Sequence, residues 1–113
     1  MSRIFQMPVA DVYPLYQAKI ERKGRKKSEL NKIIFWLTGL DNDGLKAHLK
    51  NKTTFEDFFK KVKINPKAKL ITGTICGIKV ENIEDPLMKK IRYLDKLVDE
   101  LAKGKSLEKI LRS

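Results

Sequence analysis

The chain has 113 residues and a formal net charge of +11, which fits one basic domain and is too short for two ordinary ones. Its 42% hydrophobic residues are enough for one core and exclude disorder over the whole length. One cysteine and one histidine exclude a disulfide framework, a Cys/His zinc site and an iron–sulfur cluster. No apolar run reaches the roughly 18 residues of a membrane span, and no signal peptide is evident. A cytoplasmic protein without a cofactor and without membrane attachment is expected.

The first two helices are predicted from apolar residues at helical spacing. Apolar side chains of 9–23 recur every three or four residues, and Gly24 is a natural stop. If the helix begins near Asp11, Pro14 falls in its first turn, where its missing N–H costs little. Ser28 is expected to be the N-cap of a central second helix, which ends at Gly39.

Two shorter helices follow. Asp41 can cap a third helix, and the capping-box pattern of residues 53–56 starts a fourth, which Asn65-Pro66 ends. The second and third helices have the length and the turn of a helix-turn-helix DNA-binding motif. The acidic residues Asp41 and Asp43 would repel phosphate there, which argues against sequence-specific reading of DNA.

Residues 70–83 admit two interpretations. Their β-branched residues favour a strand, whereas their isoleucines lie at helical spacing and Gly73 and Gly77 would let another helix approach closely. An isolated strand pair is marginal, and no other good strand is evident. A helix is therefore the preferred prediction, and a small hairpin near 70–81 is the alternative.

The last long helix has the clearest start signal, because Asp85 can be its N-cap and Pro86 its first residue. It is predicted to run to Lys103, and Ser106 caps a final turn. Its apolar residues form a heptad seam, for which internal packing is preferred over a dimer interface. The members of this seam are Leu87, Ile91, Leu94, Val98 and Leu101. The predicted fold is mainly α, a compact bundle of five or six helices in one domain, with α+β as the alternative.

The positive charge is concentrated in two stretches, because residues 19–32 and residues 60–69 each carry a net charge of +5. A cationic turn before a helix N-terminus suits a nucleic-acid backbone or another anion. The phenylalanines of 55–59 could stack on bases, although core packing is preferred for them. A composition of 20 lysines against 5 arginines also fits genome bias or simple solubility. The residues predicted to contact an anion are Arg22, Lys23, Arg25, Lys26, Lys27, Lys60, Lys61 and Lys63.

Candidate catalytic groups are few. His48 has no evident partner, and the neighbouring lysines are expected to lower its pKa. Cys76 lies between two glycines in an apolar segment, which favours a buried small residue over a reactive thiol. Glu84 and Asp85 precede a helix, where capping explains them better than acid–base chemistry or metal binding.

Motifs along nearly the whole chain resemble one family. The longest of them are the segments 70–80, 83–105 and 108–111. The shorter ones are Arg3-Ile4-Phe5, Tyr13-Pro14-Leu15-Tyr16, Lys23-Gly24-Arg25, Trp36-Leu37-Thr38-Gly39, Phe58-Phe59 and Asn65-Pro66. On these motifs the chain is similar to a small bacterial family known as domain of unknown function 2200. The resemblance implies a stand-alone cytosolic bacterial protein; it brings no assigned activity and no functional residues.

Three functions are considered, in order of preference. The first is a non-enzymatic binding module whose basic faces contact a nucleic-acid backbone or another polyanion. The second is a protein-interaction or structural domain, either a monomer or a homodimer through the helix at 86–103. The third, less favoured, is a small enzyme that uses Glu84, Asp85 or Cys76.

Overall fold

The computed structural model describes residues 3–75 and 77–112, which form six α-helices and one antiparallel hairpin. The mainly α prediction is confirmed. The helices are α1 (Val9–Glu21), α2 (Lys27–Thr38), α3 (Asn42–Lys50), α4 (Phe55–Lys61), α5 (Pro86–Ala102) and α6 (Leu107–Ile110). The strands are β1 (Thr74–Ile75) and β2 (Ile78–Lys79), and short 3-10 helices lie at Arg3–Gln6, Pro66–Leu70 and Val80–Asn82. No helix within these described residues is long and apolar enough to cross a membrane.

Helix α5 is the centre of the fold, because α1, α2, α4, α6 and the hairpin all pack against it. It begins as predicted. Asp85 Oδ1 accepts hydrogen bonds from the backbone N–H groups of Leu87 and Met88, at 2.9 and 3.0 Å. The predicted heptad seam of α5 faces the core of the same chain, which agrees with the preferred interpretation of internal packing. Its buried members are Ile91, Leu94, Val98 and Leu101. Leu87, the fifth member of the seam, is only partly buried.

The start of α2 differs from the prediction. Ser28 lies inside the helix rather than at its N-cap, because α2 begins at Lys27 and its N-cap is Lys26. The Glu29 carboxylate accepts a hydrogen bond from the Lys26 N–H at 3.1 Å. Glu29 thus ties the N-cap residue to the first turn of α2, which is a different role from the one predicted for the Ser28 hydroxyl. The predicted stop is confirmed, since Gly39 adopts the left-handed conformation with φ 73°.

The preferred helix over 70–83 is wrong, and the hairpin alternative is found. Thr74 pairs with Lys79 and Ile75 pairs with Ile78. Gly73 and Gly77 have φ values of 109° and 79°, which an α-helix does not use. The hairpin persists because it packs on α5 and is not isolated in water. Cys76 lies outside the described residues.

The N-terminal segment is held against α4. Pro8 and Thr54 form an isolated antiparallel bridge, and the Phe55 N–H donates to the Met7 carbonyl at 3.0 Å. The capping hydroxyl of α4 belongs to Thr54, which accepts from the Asp57 N–H at 3.2 Å. Phe5 thereby reaches the core beside α4. The three phenylalanines of α4 are buried in this core, so core packing is confirmed over base stacking.

Candidate anion-binding surface

The two basic stretches of the sequence lie at opposite ends of α2. Residues 22–26 form the turn that leads into its N-terminus. Asn65, which lies within the second stretch, bonds to the C-terminus of α2. The Asn65 N–H donates to the Leu37 carbonyl at 2.9 Å, and its side-chain amide donates to the Trp36 carbonyl at 3.1 Å. A helix of 12 residues spans roughly 18 Å, so the two stretches do not form one surface.

Arg25 joins the first basic stretch to the end of α5. Its guanidinium donates to the Leu101 carbonyl at 3.1 Å and to the Lys105 carbonyl at 2.8 Å. The same group pairs with the Glu29 carboxylate at 2.7 Å. This hydrogen bonding raises the pKa of Arg25 and lowers the pKa of Glu29. The predicted contact residue Arg25 is thus engaged within the molecule, where it holds two turns together.

Lys19 of α1 and Lys103 at the end of α5 both lie beside Asp99, whose side chain is mostly covered. Lys19 Nζ and Lys103 Nζ lie 3.4 and 3.0 Å from the Asp99 carboxylate. Burial raises the pKa of Asp99, but hydrogen bonds and charges from Lys103 and Lys19 outweigh it, and the net shift is downward. The Asp99 side chain is only 13% exposed, whereas that of Lys103 is 72% exposed. The lysine ammonium groups are therefore exposed to solvent, whereas the Asp99 carboxylate is largely covered.

We call the resulting surface the basic end. Arg22 and Lys23, at the close of α1, line a shallow depression together with Lys19. Lys26 is exposed on the adjoining turn. Within the part of the chain that the structure describes, Arg22, Lys23 and Lys26 have no ion pair within 4 Å. The basic end comprises Lys19, Arg22, Lys23, Lys26, Lys103 and Lys105.

The other predicted contact residues lie elsewhere or have partners. Lys27 Nζ lies 5.9 Å from the ring centroid of Tyr13, a cation–π contact. Lys60 Nζ lies 3.9 Å from a Glu56 carboxylate oxygen. Lys61 and Lys63 are exposed near the end of α4. The second stretch remains cationic but is separate from the basic end.

Sequence reasoning missed Lys103 and Lys105. They lie about 80 residues from the turn that they join, and nothing local marks the association. Four oxygen atoms accept hydrogen bonds from Arg25, namely both carboxylate oxygens of Glu29 and the carbonyl oxygens of Leu101 and Lys105. These bonds hold the turn at 22–26 against the end of α5. The one signal in the sequence for a contribution from α5 is the net charge of +4 over residues 86–113.

Of the candidate catalytic groups, Glu84, Asp85 and His48 lie in the part of the chain that the structure describes. Asp85 serves as the N-cap of α5, and Glu84 beside it is exposed. His48 lies against Phe58, with ring centroids 5.2 Å apart, and its Nδ1 is 3.1 Å from the Thr53 hydroxyl. Over residues 3–75 and 77–112, no cluster of three or more His, Cys, Asp or Glu residues could hold a metal ion.

The environment of His48 makes stability depend on pH. Burial, followed by the charge of Lys61, lowers the pKa of His48 below its ordinary value of 6.5. The folded state therefore disfavours protonation, and the unfolded chain binds the proton first as the pH falls. We expect the free energy of unfolding to decrease from about pH 7.5 to about pH 5.5. Urea titrations of the wild type and His48→Gln across this range measure the effect.

The histidine variant serves as the control for this expectation. His48→Gln should show a flatter stability profile above about pH 5.5, because the carboxylates with lowered pKa values protonate in the more acidic range. Equal slopes for the wild type and the variant would contradict the assignment to His48.

Similarity to known proteins identifies the family of the chain. A family described as an uncharacterized protein conserved in bacteria, DUF2200, matches residues 3–112. The chain belongs to this family. The crystal structure of the uncharacterized protein SP1917 is similar to it, with a TM-score of 0.91 and 44% identity, over 98% of this chain and 93% of that one. Curated proteins give no match. The family resemblance seen in the sequence is confirmed, and the DUF2200 fold is shared by a solved relative.

Proposed function

We propose that this DUF2200 protein is a non-enzymatic cytoplasmic binding module that contacts the phosphates of a nucleic acid through the basic end. One observation carries the proposal. Around the two joined turns, the lysines and Arg22 are exposed, whereas Glu100 is buried and the Asp99 side chain is only 13% exposed. Glu21, at the end of α1, is also exposed, but its single negative charge is much smaller than the charge of the six cations. The surface therefore keeps an excess of positive charge.

The kind of recognition follows from the side chains. Five of the six cations of the basic end are lysines, which act as mobile point charges. Such groups neutralise backbone phosphates without reading base edges. Binding should therefore be insensitive to sequence and should weaken steeply as salt rises, because phosphate contacts release condensed counterions.

The test compares two triple variants of equal charge. The first replaces Arg22, Lys23 and Lys26 with glutamine, and none of these three forms an ion pair in the described structure. Fluorescence anisotropy measures binding to labelled single-stranded RNA, single-stranded DNA and duplex DNA at about 50 and about 200 mM salt. We expect the first triple to lose at least about tenfold in affinity, with a salt slope reduced by about one per lost phosphate contact.

The matched control replaces Lys60, Lys61 and Lys63 with glutamine. It removes the same charge at the far end of α2 and should change affinity by less than about threefold. Equal losses for the two triples would show that net charge alone drives binding, and this would contradict a defined surface. Unchanged affinity in the first triple would reject the basic end. Adding Lys103→Gln to the first triple should weaken binding further, since that lysine comes from the second turn.

A further inference from the structure

Asp99 is the acid on which two cations of the basic end converge. Lys19 Nζ donates to Asp99 Oδ1 at 3.4 Å, and Lys103 Nζ lies 3.0 Å from Asp99 Oδ2. Lys19 belongs to α1 and Lys103 directly follows α5, so the two ammonium groups come from different elements. Each oxygen of one carboxylate thus faces one lysine, and a single acid compensates half of the charge of the pair.

The three side chains differ in their exposure to solvent. The Asp99 side chain is 13% exposed, whereas the side chains of Lys19 and Lys103 are 45% and 72% exposed. Ion pairs with such exposed lysines are weak, so each ammonium can exchange the carboxylate for another anion. Each exchange leaves a largely covered carboxylate short of a partner, which is unfavourable. A phosphate at this surface therefore competes with Asp99 for the same donors.

The other cations of the basic end are held less firmly by acids. Lys105 Nζ approaches the Glu100 carboxylate only to 3.6 Å, and Arg112 already donates to both oxygens of that carboxylate. The cations of the basic end without an ion pair in the described structure are Arg22, Lys23 and Lys26. Only Asp99 thus takes two lysines of this surface away from a ligand.

We propose that Asp99 restrains the basic end by competing with the phosphates of the ligand for Lys19 and Lys103. This inference rests on the proposed function and names the residue that limits it. A nucleic acid contacts the unpaired cations first, and it gains the two restrained lysines only by drawing them from Asp99. The carboxylate that they leave takes up a cation from solution, which offsets the counterions that the phosphates release.

Asp99→Asn removes the competing charge and nearly preserves the shape of the side chain. Fluorescence anisotropy with labelled single-stranded RNA, between about 50 and about 200 mM salt, measures the affinity and its salt slope. We expect the variant to bind about fivefold more tightly, because two weak ion pairs no longer oppose binding. Its salt slope should be steeper by about two, one for each released lysine.

Glu21→Gln is the matched control for the added charge. Glu21 is exposed at the end of α1, beside the basic end, and forms no ion pair in the described structure. This variant should gain less than about threefold in affinity and keep the salt slope of the wild type, because it releases no lysine. Equal slopes for Asp99→Asn and Glu21→Gln would overturn the proposal.

Two lysine variants test the same contact without altering Asp99. Lys23 and Lys103 are both exposed, but only Lys103 is paired with an acid in the described structure. Lys23→Gln should lower the salt slope by about one, and Lys103→Gln by less than half as much. Equal reductions would contradict the restraint, even if Asp99→Asn does not fold.

The outcomes distinguish this inference from the proposed function. If neither the wild type nor Asp99→Asn binds the RNA, phosphate binding at the basic end is rejected, and the restraint is rejected with it. If the wild type binds and Asp99→Asn binds equally well or more weakly, phosphate binding stands and the restraint alone is rejected. Weaker binding would show that Asp99 instead orders the two lysines for the ligand.

Discussion

Replacing Arg112 with glutamine should lower the free energy of unfolding by about 3 kcal/mol. Arg112 donates to both oxygens of Glu100, at 2.7 and 2.9 Å, and the Glu100 side chain is only 9% exposed. Lys105 approaches the same carboxylate at 3.6 Å and compensates only in part. The variant therefore leaves a largely buried negative charge short of its main partner. Urea unfolding followed by circular dichroism measures the loss.

A charge-matched control distinguishes the effect of losing the Arg112–Glu100 ion pair from the effect of changing the net charge. Lys109→Gln removes the same charge from an exposed position of α6 and should change stability by less than about 0.5 kcal/mol. The double variant Glu100→Gln/Arg112→Gln removes both charges and should recover part of the loss. A double-mutant cycle then gives the coupling between the two groups. Equal stabilities for Arg112→Gln and Lys109→Gln would contradict the expected role of the pair.

Replacing Phe58 with alanine should lower the free energy of unfolding by about 4 kcal/mol. Phe58 is 1% exposed, and its ring makes edge contacts with His48 and Phe59 at centroid distances of 5.2 and 5.1 Å. The variant loses the transfer free energy of the ring, the aromatic contacts and the surrounding packing.

The magnitude of this loss is measured by urea unfolding against two comparison variants. Leu15→Ala removes a large apolar side chain that is 64% exposed, and it should change stability by less than about 0.5 kcal/mol. Phe58→Leu keeps much of the buried volume and should fall between the two. It also keeps the test informative if the alanine variant does not fold. A loss no larger for Phe58→Leu than for Leu15→Ala would contradict the central position of this ring.

Much of the fold could be predicted from local signals. Asp85-Pro86, Gly39 and Asp41 act through hydrogen bonds and backbone angles of their own neighbourhood, so the helix boundaries that they mark were correct. The prediction of Ser28 as the N-cap failed because α2 begins at Lys27, where Glu29 accepts the N–H of the N-cap residue Lys26. Glu29 is in turn held by Arg25, whose other bonds reach the far end of the chain.

The hairpin near 70–81 was the alternative and not the preferred prediction, for a similar reason. Isoleucine spacing in 70–83 suits a helix as well as a strand, and the deciding factor is a surface provided by α5. On that surface Ile75 and Val80 become buried, which an isolated segment cannot achieve. Of the basic end, only the part that residues 19–26 contribute could be predicted from the sequence. The contribution of Lys103 depends on tertiary contacts made across the whole length of the chain.

The central position of α5 also sets the order in which a newly made chain can fold. Translation produces residues 9–61 first, with the apolar faces of four helices that later cover α5 or its neighbours. Those faces have no complete partner until residues 86–102 have left the ribosome. The residues of α5 therefore complete the core, and the nascent chain exposes its phenylalanine-rich segment until these residues have been made.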